Sequence, residues 1–249
     1  MNSSFYMGAV AAYQQTQSLT IQGNNIANVN TYGFKTEKGR FAPLMYRNIK
    51  AAEERELPTG HGACLWTSAT DFREGGYIDT GRRYDYAIQG SGFFALADLE
   101  HDEVSLTRCG DFSKARLARP TGEVDETGRP IEDVGWYLTD GHGRFVLDDM
   151  GAVIEITEEN DDRLPVGVFD YMNYNGMEHI DLTRFRAVEK NGGLQMGKGV
   201  LQQGKLEASN VELSDEISKV IETQRAYSMA LKLVQTSDEI ETTINGLRG

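Results

Sequence analysis

The chain has 249 residues, with 25 Lys and Arg against 38 Asp and Glu, for a formal net charge of −13. That acid surplus argues against a phosphate-binding face, so neither nucleic acid nor an anionic lipid surface is an expected partner. Hydrophobic residues make up only 39% and the mean hydropathy is −0.46, so part of the apolar surface is expected to be covered only by partners.

The N-terminal run MNSSFYMGAVAAYQQTQSL lacks the basic start and long apolar centre of a Sec signal peptide. No run in the chain reaches transmembrane length, so no direct membrane insertion is expected. Phe5, Ala9, Ala12, Thr16, Leu19, Gly23 and Ile26 follow a heptad and predict a helix over about residues 4–28. The stripe holds small residues that let a partner helix approach closely. The block that follows, Asn24 to Lys35, concentrates amides at positions 24, 25, 28 and 30 and ends in Gly33-Phe34-Lys35. Asn30 and Gly33 suit the left-handed conformations that end a helix.

Residues 31–208 are punctuated by turn dipeptides such as Gly75-Gly76, Thr80-Gly81, Thr121-Gly122, Asp140-Gly141 and Gly192-Gly193. Between them lie short runs at Tyr84–Ile88, Phe93–Leu96, Trp136–Leu138, Phe145–Leu147, Val153–Ile156 and Val166–Phe169, which read as strands of a sandwich or barrel-like domain. A capping-box spacing at Ser209 and Glu212 predicts a last helix from about there to residue 246. It carries two stripes. One runs through Leu213, Ile217, Val220, Gln224, Tyr227, Leu231 and Val234, the other through Ala226, Ala230, Leu233, Ile240, Ile244 and Leu247. Two stripes are more than an antiparallel hairpin needs. The expected class is α+β, with the N- and C-terminal helices forming a coiled-coil layer and a central β-rich domain of short strands. Residues 1–30 with 209–249 make the helical domain, 31–74 an extended connector and 75–208 the β-rich outer domain.

No catalytic constellation survives inspection. Gly90-Ser91-Gly92-Phe93-Phe94-Ala95 has the spacing of a dinucleotide fingerprint, but a strand pattern follows where a helix is required, so it reads as a tight turn between strands. His61 and Cys64 lack further ligands for zinc, and the acids Glu158, Glu159, Asp161 and Asp162 match no calcium-loop spacing. No metal, cofactor or small-molecule substrate is expected. The two thiols, Cys64 and Cys109, make no disulfide framework, although one bridge between them stays open.

Several segments together resemble one family. Asn24–Lys35 (NNIANVNTYGFK), DYAIQGSGFFAL, TRCGDF from Thr107, GKLEASNVEL and ETQRAYSMALKLVQTSDEI are similar, in this order, to the signature blocks of bacterial flagellar basal-body rod proteins, the axial family that includes the hook protein. The chain is rod-sized. FKTEKGRFAPLMY is closer to the distal rod type, while the short connection from Lys35 to Asp85 leaves distal and proximal types both open. Met229-Ala230 and the start MNSSFYMG depart from the usual pattern. The resemblance implies a structural subunit, not an enzyme, that polymerises with copies of itself and other rod or hook subunits into a torque-bearing tube. It further implies export through the flagellar type III apparatus to the basal body. It places subunit-assembly residues at Asn24, Asn25, Ile26, Asn28, Val29, Gly33, Phe34, Ser209, Asn210, Val211, Gln224, Arg225, Tyr227, Leu231 and Val234. A coiled-coil adhesin, an export cap or another hook-family subunit is the alternative.

Overall fold

The structure is a computed structural model and describes residues 3–44, 47–50, 56–59, 62–98, 103–124, 130–157, 160 and 163–247. In chain order the elements are α1 (Ser3–Ala27), β1 (Glu37–Pro43), β2 (Arg47–Lys50), β3 (Glu56–Thr59), β4 (Ala63–Thr70), β5 (Tyr77–Asp79), β6 (Tyr86–Gln89), β7 (Phe94–Asp98), β8 (Glu103–Thr107), β9 (Ser113–Val124) and β10 (Pro130–Thr139). They continue with β11 (Phe145–Val146), β12 (Phe169–Asp170), β13 (Glu178–His179), β14 (Arg184–Arg186), a 3₁₀ turn (Glu189–Asn191), β15 (Gln195–Met196), β16 (Val200–Gln203), β17 (Lys205–Glu207) and α2 (Leu213–Gly246). The class is α+β, with a helix near each end and strands between. Two compact units result. One contains Met1–Val29, Thr36–Asp71 and Val211–Gly249, the other Asn30–Lys35 and Phe72–Asn210.

In the helical unit α1 packs antiparallel on α2. Gly8 lies against Val234 and Ala230, while Gln22 Nε2 donates to Thr223 Oγ1 at 2.9 Å and Asn25 Nδ2 to Glu216 Oε2 at 3.1 Å. The buried positions of α2 are Glu216, Thr223, Ala230 and Ser237, each seven residues from the next, and those of α1 are Gly8, Ala12, Ser18, Gln22 and Asn25. The seven-residue period of α2 keeps its buried positions on one face, and α1 packs there with buried positions spaced four, six, four and three residues apart. The seam is not the stripe that apolarity picks out. Phe5, Ala9, Thr16 and Gly23 of the expected α1 stripe are exposed, and so are Leu213, Ile217 and Leu231 of α2. The reason is size and bonding. Gly, Ala and Ser allow close backbones, and Gln22 donates to Thr223 and Asn25 to Glu216 across the seam. Strands β1 and β4 form an antiparallel pair beside α1. Its register slips at Arg40/Phe41, so Trp66 is an unpaired bulge residue and stands 75% exposed. Leu65 N donates to Gln14 Oε1 at 2.7 Å and fixes the pair to the helix.

The helix start differs from the expected one. The α2 helix begins at Leu213 with Glu212 as N-cap and no side-chain cap bond, not at the Ser209/Glu212 capping box. Residues before it are committed elsewhere, because Ala208 N donates to Gly76 O at 2.7 Å and Asn210 Nδ2 to Arg73 O at 2.9 Å. Asp215 and Glu216 in the first turn suit the positive end of the helix dipole.

The β unit is built on an antiparallel sheet of order β13-β14-β8-β7-β11-β10-β9, with the pairs β12-β15, β16-β6 and β17-β5. Its central strand β7 is buried on both faces. Phe94 and Leu96 join a core with Tyr86, Ile88, Phe112, Leu138 and Val146, while Ala95 and Ala97 join one with Phe93, Leu106, Phe169 and Phe185. That is why FFALA is a continuous apolar run and not an alternating one. Gly90 (φ 103°) and Gly92 (φ 127°) do make the expected turn, but it carries the chain from β6 into a different sheet. Thr121-Gly122 corrects another expectation, lying inside β9 and forming no turn. Val153 and Glu155 contribute only isolated bridges.

The seam yields a contrast between two glycines of α1. A Cβ on Gly8 would lie 2.9 Å from Val234 Cγ2 and 3.2 Å from Ala230 O, whereas one on Gly23 meets nothing within 4 Å. Gly23→Ala is expected to stabilise the helical unit by up to about 1 kcal/mol. Gly8→Ala loses that gain to overpacking and lowers stability instead. Thermal melts followed by far-ultraviolet circular dichroism check the opposite signs.

Candidate functional site

Three of the sequence blocks meet in one buried ion cluster of the β unit. Glu207, at the end of β17, is buried, as are Lys35 and Arg108. Glu207 Oε1 accepts from Lys35 Nζ at 2.6 Å and from Gly75 N at 3.0 Å, and Oε2 accepts from Arg108 Nη1 at 3.1 Å. Lys35 Nζ also donates to Arg73 O at 2.7 Å. Arg108 donates to Ile88 O at 3.2 Å and Gly90 O at 2.7 Å, and its guanidinium stacks over Phe93 at 5.4 Å. Two cations share one carboxylate here because the carbonyls of Arg73, Ile88 and Gly90 accept further protons from them, while Arg108 Nε is buried with no hydrogen-bond partner. Burial pulls the Lys35 ammonium below its ordinary pKa, with the Glu207 charge opposing the shift. The backbone joins in, since Gly33 N donates to Glu207 O at 2.8 Å. Gly33 has φ 69°, and a Cβ there would lie 2.3 Å from Cys109 N, so no other residue fits.

The expected assembly residues fall into three sets. Asn25 and Asn28 are buried and bonded within the chain. Asn25 Nδ2 also donates to Glu37 O at 2.8 Å and its Oδ1 accepts from Glu37 N at 3.0 Å, while Asn28 Nδ2 donates to Asn24 O at 2.9 Å. Asn24, Ile26 and Val29 are half-buried. Gly33 and Phe34 belong to the strap around the ion cluster, with Phe34 fully buried, and Asn210 is tied to Arg73 O. Ser209 is half-buried and Val211 buried. Gln224, Arg225 and Leu231 are exposed on α2, with Tyr227 and Val234 half-buried. Lys35, Arg108 and Glu207 were missed. Their signal was a lone charge inside each apolar block: FK, LTR and KLE.

Among the described residues no group of three or more His, Cys, Asp or Glu is placed to hold a metal, and Cys64 and Cys109 are both free thiols. His61 and the acids at 158, 159, 161 and 162 lie outside the described residues. No described helix is long and apolar enough to cross a membrane.

Two measurements test the cluster. Glu207→Ala leaves two buried cations uncompensated and is expected to cost about 3–5 kcal/mol in urea denaturation of the β unit. Tyr77 and Tyr174 are pushed up to about 12, mainly by burial and then by their hydrogen bonds to Glu74 and Asp170. A phenol that holds its proton longer folded than unfolded stabilises below its unfolded pKa of about 10. Stability is therefore expected to fall between about pH 10 and 12. Replacing both tyrosines by Phe should flatten that fall in alkaline denaturation curves.

Comparison with known proteins agrees with this arrangement. Residues 202–247, from β16 through α2, match the family model for the flagellar basal body rod FlgEFG protein C-terminal region. The flagellar basal-body rod protein FlgF of Caulobacter vibrioides is 30% identical over 254 aligned positions, covering 96% of this chain and 95% of that protein. FlgG of Buchnera aphidicola subsp. Baizongia pistaciae is 29% identical over 245 positions, covering 91% and 92%, and FlgG of Bacillus subtilis 27% over 267 positions, covering 96% and 97%. With whole-length relatives of both names, and the family's blocks joined in one buried cluster, the chain belongs to the flagellar basal-body rod protein family.

Proposed function

We propose that this chain is a structural subunit of the flagellar basal-body rod, and that its helical unit is the polymerising part. The carrying observation is the inversion of the helix pair. Its intramolecular seam is small and polar, while Phe5, Tyr6, Val10 and Tyr13 of α1 and Leu213, Ile217, Ile221, Leu231, Leu233, Ile240 and Ile244 of α2 are exposed. An apolar surface of that extent marks a protein partner. Packing it on other copies joins the helices of many subunits into one coiled-coil layer. Contacts between unlike patches do not close on themselves, so they build a filament. Torque passes along such a layer because each subunit shares several neighbours. Other rod and hook subunits are the remaining partners, and the flagellar type III apparatus is the route of export. The exposed members of the expected set, Gln224, Arg225 and Leu231, belong to this surface. Asn24, Asn25, Ile26, Asn28, Val29, Gly33, Phe34 and Ser209 to Val211 act by fixing the helix ends, with Tyr227 and Val234 supporting α2 from its half-buried side.

The test is polymerisation of purified chain at rising concentration, read by sedimentation and electron microscopy. Ile217→Asp with Leu231→Asp changes only exposed side chains, so the β unit stays folded. Each lost burial is worth about 1.5–3 kcal/mol, so the critical concentration is expected to rise about a hundredfold or more. Smooth tubes at the unmodified threshold would contradict the reading, as would closed trimers or pentamers from the unmodified chain.

A further inference from the structure

The α1 helix carries no charged side chain, so α2 holds every charge of the helix pair. Of its cations, Lys219 is taken by the buried Glu216. Arg225 and Lys232 are exposed, and so are Asp215 and Glu222, and among the described residues none of these four has an ion-pair partner. The two acids are seven residues apart, and so are the two cations. Each pair therefore spans two helical turns, about 10.5 Å, along one face. The two faces are separated by about 80° around the helix. Equal spacing with opposite sign, on different faces of one helix, is what a repeated contact between unlike patches needs.

The acidic patch borders a groove of about 590 Å³ in the helical unit, between α1, β1 and α2. Its charged lining residues are Glu37, Lys38, Asp215, Glu216, Lys219 and Glu222, with Gln22 beside them. Lys38 is paired with Asp71 and Lys219 with Glu216, so among the described residues Asp215 and Glu222 are left without a cation. Gln22 is 7% exposed, and its Nε2 is spent on Ser18 and Thr223, but its Oε1 is buried with no hydrogen-bond partner. A buried acceptor left unpaired is costly unless a donor arrives. The groove therefore offers carboxylates and an unfilled amide oxygen together, and calls for a cationic donor. The exposed cations of matching spacing are Arg225 and Lys232 of the same chain.

We infer that this groove is the acceptor half of a contact between two copies of the chain, receiving Arg225 and Lys232 of a neighbouring copy beside Asp215, Glu222 and Gln22. The inference rests on the reading that the chain polymerises. The exposed apolar side chains supply affinity in that contact, and the charge pairs fix which face meets which and at what axial shift. Exposed pairs are individually weak, and like charges set opposite each other disfavour the wrong register.

Charge exchange tests it. The double variants Arg225→Glu/Lys232→Glu and Asp215→Lys/Glu222→Lys are each expected to polymerise with a critical concentration about tenfold or more above the unmodified chain. An equimolar mixture of the two alternates native pairings with sign-reversed ones, the quadruple variant reverses the sign of every pairing, and both are expected to polymerise near the unmodified threshold. Circular dichroism of each variant at low concentration confirms an unchanged fold, since all four side chains are exposed. Double variants that polymerise like the unmodified chain, or a quadruple variant as impaired as the doubles, would overturn the inference while leaving polymerisation itself intact. An unmodified chain that never polymerises would instead overturn the reading beneath it.

Discussion

The carboxylate of Glu207 is the point on which the β unit depends. The chain enters or leaves that unit at residues 30, 35, 72 and 210. Gly33 bonds the Glu207 carbonyl, Lys35 bonds its carboxylate and Arg73, and Asn210 returns to Arg73. The ion cluster thus holds the segment at residues 33–35 and, through the Arg73 carbonyl, the chain near residue 72, where Asn210 also bonds. Such clusters are weak as a source of net stability, because removing three charges from water costs as much as their attraction returns. They are strong as a constraint, since losing any member leaves the others unpaired. Arg108 brings β6 and the turn that follows it into the same constraint through the carbonyls of Ile88 and Gly90.

The helical unit follows a different economy. An antiparallel pair that needed only to fold would bury its Leu and Ile side chains against each other. Here Gly8, Ala12, Ala230 and Ser237 set a close approach, and Gln22, Asn25, Thr223 and Glu216 set the register. Polar groups at seam positions specify one alignment at a cost in stability. The apolar residues remain outside, where other subunits of a rod are available to cover them. Asn25 bonds both Glu216 of α2 and the Glu37 backbone of β1, so the helix seam and the β1–β4 pair are aligned by one amide.

Much of this was legible in the sequence. The period of seven located both helices to within a few residues, and the Gly-punctuated apolar runs located β6, β7, β10 and β11. Periodicity could not say which of two adjacent heptad stripes faces inward. Apolarity chose the one that the structure leaves exposed, while the seam is filled by small and amide-bearing residues. The Ser209/Glu212 spacing failed for a related reason, as backbone bonds to Gly76 and Arg73 hold that segment extended. The ion cluster was out of reach of any local pattern. Its members are 73 and 99 residues apart, and only the sheet brings them together. The amides of Asn25 and Asn28 were expected at subunit contacts, and their hydrogen bonds lie within the chain, at the end of α1 and, for Asn25, to α2 and the strand beside α1.

The central claim is that the β unit is complete in the single chain while the helix pair is completed by neighbours. Hydrogen exchange read by mass spectrometry, on monomer and on assembled polymer, measures this most directly. In the monomer, β6, β7 and β17 should exchange only on global unfolding, and α1 and α2 should exchange rapidly. In the polymer the helix amides should become as protected as the sheet. Helix amides equally slow in monomer and polymer would contradict the account.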